Sequence, residues 1–251
     1  MLNHTMAGGH REPVQLEIAF RKPGRGGKRP GAGRKPSKER IGFVPHVVRP
    51  RHDENHPVHV TMRAVTRCPN LRSQMVFRAI RSWIAKASAR PLSFRVIHFS
   101  VQANHVHLIV EAPSRVWLWR GMQWLSARIA KHVNALAGRR GSLWRDRYHR
   151  HDLRTPREVR NAIVYVVMNV RKHARGADVE RRKVSLDICS SAAWLDWWHP
   201  RAGPMLGALR DDLVRHDLAE CPVVASAVWL GRIGWKRLGL VRPSETPRAP
   251  A

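Results

Sequence analysis

An α+β fold is predicted for this chain by three features of its pattern. Runs rich in β-branched residues alternate with stretches of helical apolar spacing, in the order strand, helix, two consecutive strands, helix, strand, helix. The two consecutive strands are separated only by the polar stretch Gln102-Ala103-Asn104, which reads as the turn of a hairpin. Helix starts are marked by capping residues at Ser114 and Thr155. A length of 251 residues is enough for one domain of ordinary size with extensions.

Charge narrows the class of partner. With 46 Lys and Arg against 18 Asp and Glu, the formal net charge is +28, a self-repelling balance that a polyanion relieves. Nucleic acid is therefore the first expectation and a membrane surface a weaker second. No apolar run approaches the roughly 18 residues of a membrane span, and no signal-peptide core is present, so a soluble intracellular protein with no membrane partner is expected. Cys68, Cys189 and Cys221 are odd in number and far apart, which points to reduced thiols rather than a disulfide framework or a thiolate zinc site.

Residues 1–51 form the first expected segment, a flexible basic arm. Glycine and proline at the density seen between Arg21 and Pro36 bury too little apolar surface to offset ordering entropy. Arg25, Lys28, Arg29, Arg34 and Lys35 suit phosphate contacts there. A short extended piece is expected over residues 41–48. The folded domain, residues 52–176, opens with a strand over residues 57–65. A helix follows over residues 71–89, with Val76, Ile80, Trp83 and Ile84 at helical spacing, and Pro91 ends it. Strand character returns over residues 92–101, where His98 reads as a satisfied core or face histidine.

The second arm of the hairpin, Asn104-His105-Val106-His107-Leu108-Ile109-Val110, places two imidazoles on one face, because side chains alternate along a strand. Ser114 then caps a long helix whose stripe is Leu118, Met122, Leu125, Ile129, Val133 and Leu136. Trp117, Trp124, Arg128 and Lys131 lie beside that stripe and could stack bases and neutralise phosphates, or simply finish the core. Arg139 and Arg140 form a basic loop, and residues 148–152 a further strand. Thr155, Pro156 and Glu158 make a capping box for a helix with Val159, Ile163, Val166, Val167 and Val170 as its buried stripe. Tyr165 falls away from the valines, on a polar face with Glu158, Asn161, Asn169 and Lys172, so its hydroxyl is expected at a cleft. Residues 177–251 are expected to be an extension of short helices with a disordered end.

These parts assemble into a phosphodiester-cleaving site. A metal held by His105, His107 and the Asn169 side-chain oxygen would polarise a phosphate oxygen, and Tyr165 would be the nucleophile. Imidazole and oxygen donors without thiolate favour Mg²⁺ or Mn²⁺. Two other readings stand beside this one. The chain could be a non-catalytic basic DNA- or RNA-binding protein whose site has decayed or been repurposed, the histidine pair by itself being readable as the polar face of a half-exposed strand. A zinc-dependent hydrolase would need another ligand, with His149, His151 and Asp152 nearest in sequence.

Asn104-His105-Val106-His107-Leu108 resembles the histidine-hydrophobic-histidine signature of the HUH endonucleases, and Tyr165-Val166-Val167-Met168-Asn169 resembles the motif of the REP-associated tyrosine transposases. The resemblance covers residues 58–174 and more faintly Ser190-Ser191-Ala192-Ala193-Trp194. It implies a ferredoxin-like, RRM-like antiparallel sheet flanked by helices, a divalent metal, hairpin-bearing single-stranded DNA as substrate, and a 5′-phosphotyrosine intermediate. It also implies a bacterial, cytoplasmic, nucleoid-associated protein, monomeric or homodimeric. The chain departs from the pattern at Val170, where such proteins usually have proline.

Overall fold

The computed structural model describes Arg49 and residues 51–89, 93–172 and 185–245, residues 170–172 by their backbone alone. The arm residues Arg25, Lys28, Arg29, Arg34 and Lys35, and the extended piece expected over residues 41–48, lie outside them.

Four strands form one antiparallel sheet: β1 (Val58–Arg63), β2 (Arg95–Val101), β3 (His105–Glu111) and β4 (His149–Asp152), in the order β2-β3-β1-β4. The hairpin predicted around Gln102-Ala103-Asn104 joins β2 to β3. Register then sorts the side chains. Val60 lies opposite Leu108, Met62 opposite Val106 and Phe99 opposite Leu108, and these aliphatic and aromatic residues are sealed from solvent. On the other face Thr61 lies opposite His107 and Arg63 opposite His105, with His59 and His151 paired across β1 and β4. Every residue of β3 is buried, so both faces of the sheet are covered.

Helices α1 (Gln74–Ser88) and α2 (Arg115–Leu136) pack together over the aliphatic face. The α2 stripe is buried at Leu118, Met122, Leu125, Ile129 and Val133, and only its expected last member, Leu136, is exposed. Gly121 lies on this helix with no room for a side chain, since a Cβ there would overlap the ring of Phe94, itself 3% exposed. Gly121→Ala is expected to cost about 1–3 kcal/mol by overpacking, read as a lower urea midpoint with an unchanged slope. An unaltered midpoint would show that Phe94 swings aside freely.

Helix α3 (Pro156–Lys172) crosses the histidine face over β2 and β3. The capping box forms as predicted: Glu158 accepts from the Arg154 and Thr155 amides at 2.7 and 2.9 Å, and Thr155 Oγ1 accepts from the Glu158 amide at 3.2 Å. With valine at 170, the helix runs unbroken to Lys172.

The C-terminal residues close the open edge of β2. Val101 donates to the Cys189 carbonyl at 2.8 Å and Ser191 to the Phe99 carbonyl at 2.9 Å, so a short piece of chain extends the sheet. Arg72 grips Asp187 with two nitrogens at 2.8 and 2.7 Å, and buried Glu111 accepts from the Ala227 amide at 2.9 Å and from the Ser226 hydroxyl. The C-terminal part also contains α4 (Gly203–Arg215), the short α5 (Trp229–Arg232) and a 3₁₀ turn, Gly234–Leu238, which packs on α3 and carries the buried Trp235. Arg160 of α3 holds Glu245 at 2.7 and 2.8 Å. Among the described residues no helix is long and apolar enough to cross a membrane.

Candidate functional site

Strand alternation puts His105 and His107 side by side, their ring centroids 4.7 Å apart and their planes at 88°. At 8% and 4% exposure they do not decorate a solvated face, which removes the half-exposed strand from consideration. The hydrogen bonds of each ring then define its chemistry. Nδ1 of His105 lies 2.8 Å from Asn104 Oδ1, an oxygen that can only accept, so Nδ1 is the donor and in the neutral ring Nε2 carries the lone pair. Nδ1 of His107 lies 3.0 Å from Thr61 Oγ1 and 3.3 Å from His59 Nε2.

His59 was missed as a site residue by reading the chain in order. Its ring lies beside that of His107 and nearly parallel to it, with centroids 5.3 Å apart and planes at 24°. The available signal was the alternation Val58-His59-Val60-Thr61, which puts His59 and Thr61 on one face, but only strand pairing brings that face against β3.

Tyr165 completes the cluster. Its ring meets His107 edge-on at 5.1 Å and 85°, and His59 at 5.8 Å and 71°. The polar face expected at a cleft is more enclosed than the helical wheel suggests: Tyr165 is 8% exposed, and every residue from 162 to 169 is buried. The helical wheel places the side without valines at a cleft; in the structure that side meets His107 and His59 of the sheet, and α3 packs on the C-terminal 3₁₀ turn as well. Burial pushes the Tyr165 hydroxyl above its ordinary value of 10. One turn on, Asn169 is 0% exposed, and neither its Oδ1 nor its Nδ2 has a hydrogen-bond partner among the described residues. A buried carboxamide left in that state is costly and fits a ligand that it would contact. Glu158 is occupied by the cap, Asn161 is exposed, and the Lys172 side chain is outside the described atoms.

The three residues nominated for zinc chemistry are engaged otherwise or open to solvent. Asp152 is held by Arg150 at 2.8 and 2.6 Å, His151 lies 4.0 Å from Glu158, and His149 is exposed. Among the described residues no group of three or more His, Cys, Asp or Glu side chains is placed to hold a metal ion.

The second tyrosine, Tyr148, has other work. The Arg49 guanidinium lies 3.8 Å from its ring centroid and donates to its carbonyl at 2.8 Å, so the ring is a docking surface for the chain entering β1. The aromatic and cationic strip lies on α1 and α2, across the sheet from the histidines. Arg128 sits 5.6 Å from the Trp83 ring and 5.9 Å from that of Trp124, Lys86 sits 4.4 Å from Trp83, and Trp117 is 43% exposed beside Arg120. Lys131 and Arg140 are exposed, while Arg139 donates to the Ser142 carbonyl at 3.3 Å.

His98 is the satisfied core histidine expected, 3.1 Å from Ser191 Oγ. Burial pushes both His98 and His59 down from 6.5 to about 4, His59 also through His151 and His149. The unfolded chain therefore takes up these two protons first, so stability is complete above about pH 6.5 and is lost as pH falls toward 4. Thermal melts are expected to show a melting temperature that falls between pH 6.5 and 5, above the range where most carboxylates titrate. A flat profile across that interval would contradict the burial of both rings.

Residues 53–166 match the family model of the IS200-like transposases, which bears out the likeness to tyrosine transposases carried by the histidine pair and the tyrosine helix. No curated protein matches the chain. Among solved structures, a REP-associated tyrosine transposase bound to a REP hairpin is similar at 22% identity, over 52% of this chain and 75% of that one, with a TM-score of 0.40.

Proposed function

We propose that this chain, whose residues 53–166 match the IS200-like transposase family model, is a metal-dependent enzyme that nicks and rejoins single-stranded DNA through Tyr165. The observation that carries this reading is the Tyr165 ring lying edge-on against His107 at 5.1 Å, which joins the tyrosine helix to the histidine strand in one buried cluster.

The donors present fit a divalent cation. His105 offers Nε2, His107 its own Nε2 when Nδ1 holds the proton, and Asn169 a buried oxygen without a partner. These three would hold Mg²⁺ or Mn²⁺, which when bound polarises a phosphate oxygen. The chain's own part is positional and nucleophilic. Tyr165 Oη attacks phosphorus, the bond from phosphorus to the 3′ oxygen breaks, and the products are a 5′-phosphotyrosine and a free 3′ hydroxyl. The phenol proton leaves as the new bond forms and a proton is delivered to the departing oxygen. Because burial keeps the phenol protonated beforehand, attack is coupled to removal of that proton. The ester retains the energy of the broken bond, so a second 3′ hydroxyl can reverse the step on another strand without ATP.

Hairpin-bearing single-stranded DNA is the proposed substrate, from the family likeness and the net charge of +28. The burial of Tyr165 favours a second reading, a non-catalytic nucleic-acid-binding protein. Hairpin oligonucleotides labelled at the 3′ end, incubated with Mn²⁺ and run on a denaturing gel, separate the two. The enzyme leaves label on the protein, and the binding protein leaves none.

Binding should be strongly salt-dependent, because each phosphate neutralised releases a counterion. Deleting residues 1–48, which spares the contact of Arg49 with Tyr148, is expected to weaken binding and flatten the salt slope without moving the cleavage position. An unchanged slope would show that Arg25, Lys28, Arg29, Arg34 and Lys35 do not meet phosphates.

A further inference from the structure

Building on the metal-dependent reading above, we propose that Thr61 and His59 of β1 are positioning residues that hold His107 in its metal-binding tautomer. A neutral imidazole binds a metal through the nitrogen that lacks a proton, and the hydrogen bond made by the other nitrogen selects which one that is. For His105 the choice is made by its sequence neighbour, Asn104 Oδ1, at 2.8 Å. His107 has no such neighbour in the chain. Its Nδ1 instead faces two atoms of the adjacent strand, Thr61 Oγ1 at 3.0 Å and His59 Nε2 at 3.3 Å.

One Nδ1–H shared between two acceptors is an ordinary three-centre bond, whereas a single lone pair on Nδ1 would serve two donors poorly. The shared-proton arrangement leaves the lone pair on Nε2, matching His105. Two further features hold the ring. Strand register sets Thr61 directly opposite His107, and the His59 ring lies beside it nearly parallel, the planes at 24°. All three side chains sit on regular strands, where backbone hydrogen bonds keep their spacing.

Nitrogen-15 spectra of the metal-free protein, with the His107 signals assigned by loss in His107→Gln, report the tautomer directly, and calorimetry with Mn²⁺ reports its consequence. In wild type, His107 is expected to carry its proton on Nδ1. Thr61→Val, and more strongly Thr61→Val with His59→Phe, should move the proton toward Nε2 and weaken Mn²⁺ binding by about 10–100-fold, while Thr61→Ser retains both properties. The single Thr61→Val variant carries the test if the double variant does not fold. A wild-type His107 protonated on Nε2, or Mn²⁺ affinity unchanged in Thr61→Val, overturns the positioning role. Wild-type protein that binds no Mn²⁺ while His107 is protonated on Nδ1 overturns the metal reading beneath it.

Discussion

Tyr165→Phe is expected to abolish covalent protein–DNA adduct and strand transfer completely while the fold persists. The substitution removes one oxygen and leaves the ring, so the edge contacts with His107 and His59 survive and the core keeps its volume. A phenyl ring has no nucleophile, so residual adduct cannot be a slower version of the same reaction. Tyr148→Phe supplies the contrast. Its ring is held under Arg49, its carbonyl rather than its hydroxyl accepts the Arg49 bond, and it belongs to no described contact with the histidine cluster. Adduct formation should therefore remain substantial in Tyr148→Phe. Peptide mapping of trapped adduct gives the deciding result: nucleotide mass on the peptide containing Tyr148, or adduct persisting in Tyr165→Phe, would move the nucleophile elsewhere.

His105→Ala and His107→Ala should each lower cleavage by at least about a hundredfold and lose Mn²⁺ binding, with DNA affinity largely kept. Affinity for DNA comes chiefly from a net charge of +28 that neutral imidazoles do not carry, so binding and chemistry separate cleanly in these variants. His107→Ala should also cost more stability than His105→Ala, because its ring packs against both His59 and Tyr165. Asn169→Ala is expected to reduce cleavage less completely, a neutral amide being the weakest donor of the three. Calorimetry is the check: Mn²⁺ affinity undiminished in both histidine variants would place the metal site elsewhere.

Much of this was legible in the sequence, since it depends on neighbours within a turn or a few residues. The α2 stripe from Leu118 to Val133, the capping box at Thr155 and Glu158, and the shared face of His105 and His107 follow from periods of 3.6 and 2 that any helix or strand imposes. The net charge is a sum and needs no fold at all. These features determined the α+β class, the order of the elements and the residue types available for chemistry.

Tertiary structure decided which of those faces meet. The strand order β2-β3-β1-β4 puts β1 beside β3, and this alone brings His59 and Thr61, which precede His107 by 48 and 46 positions, to its Nδ1. Nothing within a turn of any of the three residues encodes that approach. The fate of Tyr165 was likewise settled from outside its helix. A wheel separates apolar from polar sides of α3 but cannot tell that the side bearing Tyr165 will meet His107 and His59 of the sheet. Local periodicity is written in adjacent residues, whereas strand pairing and the covering of a helix are made by segments far apart in the chain, whose side chains become neighbours only when the core closes.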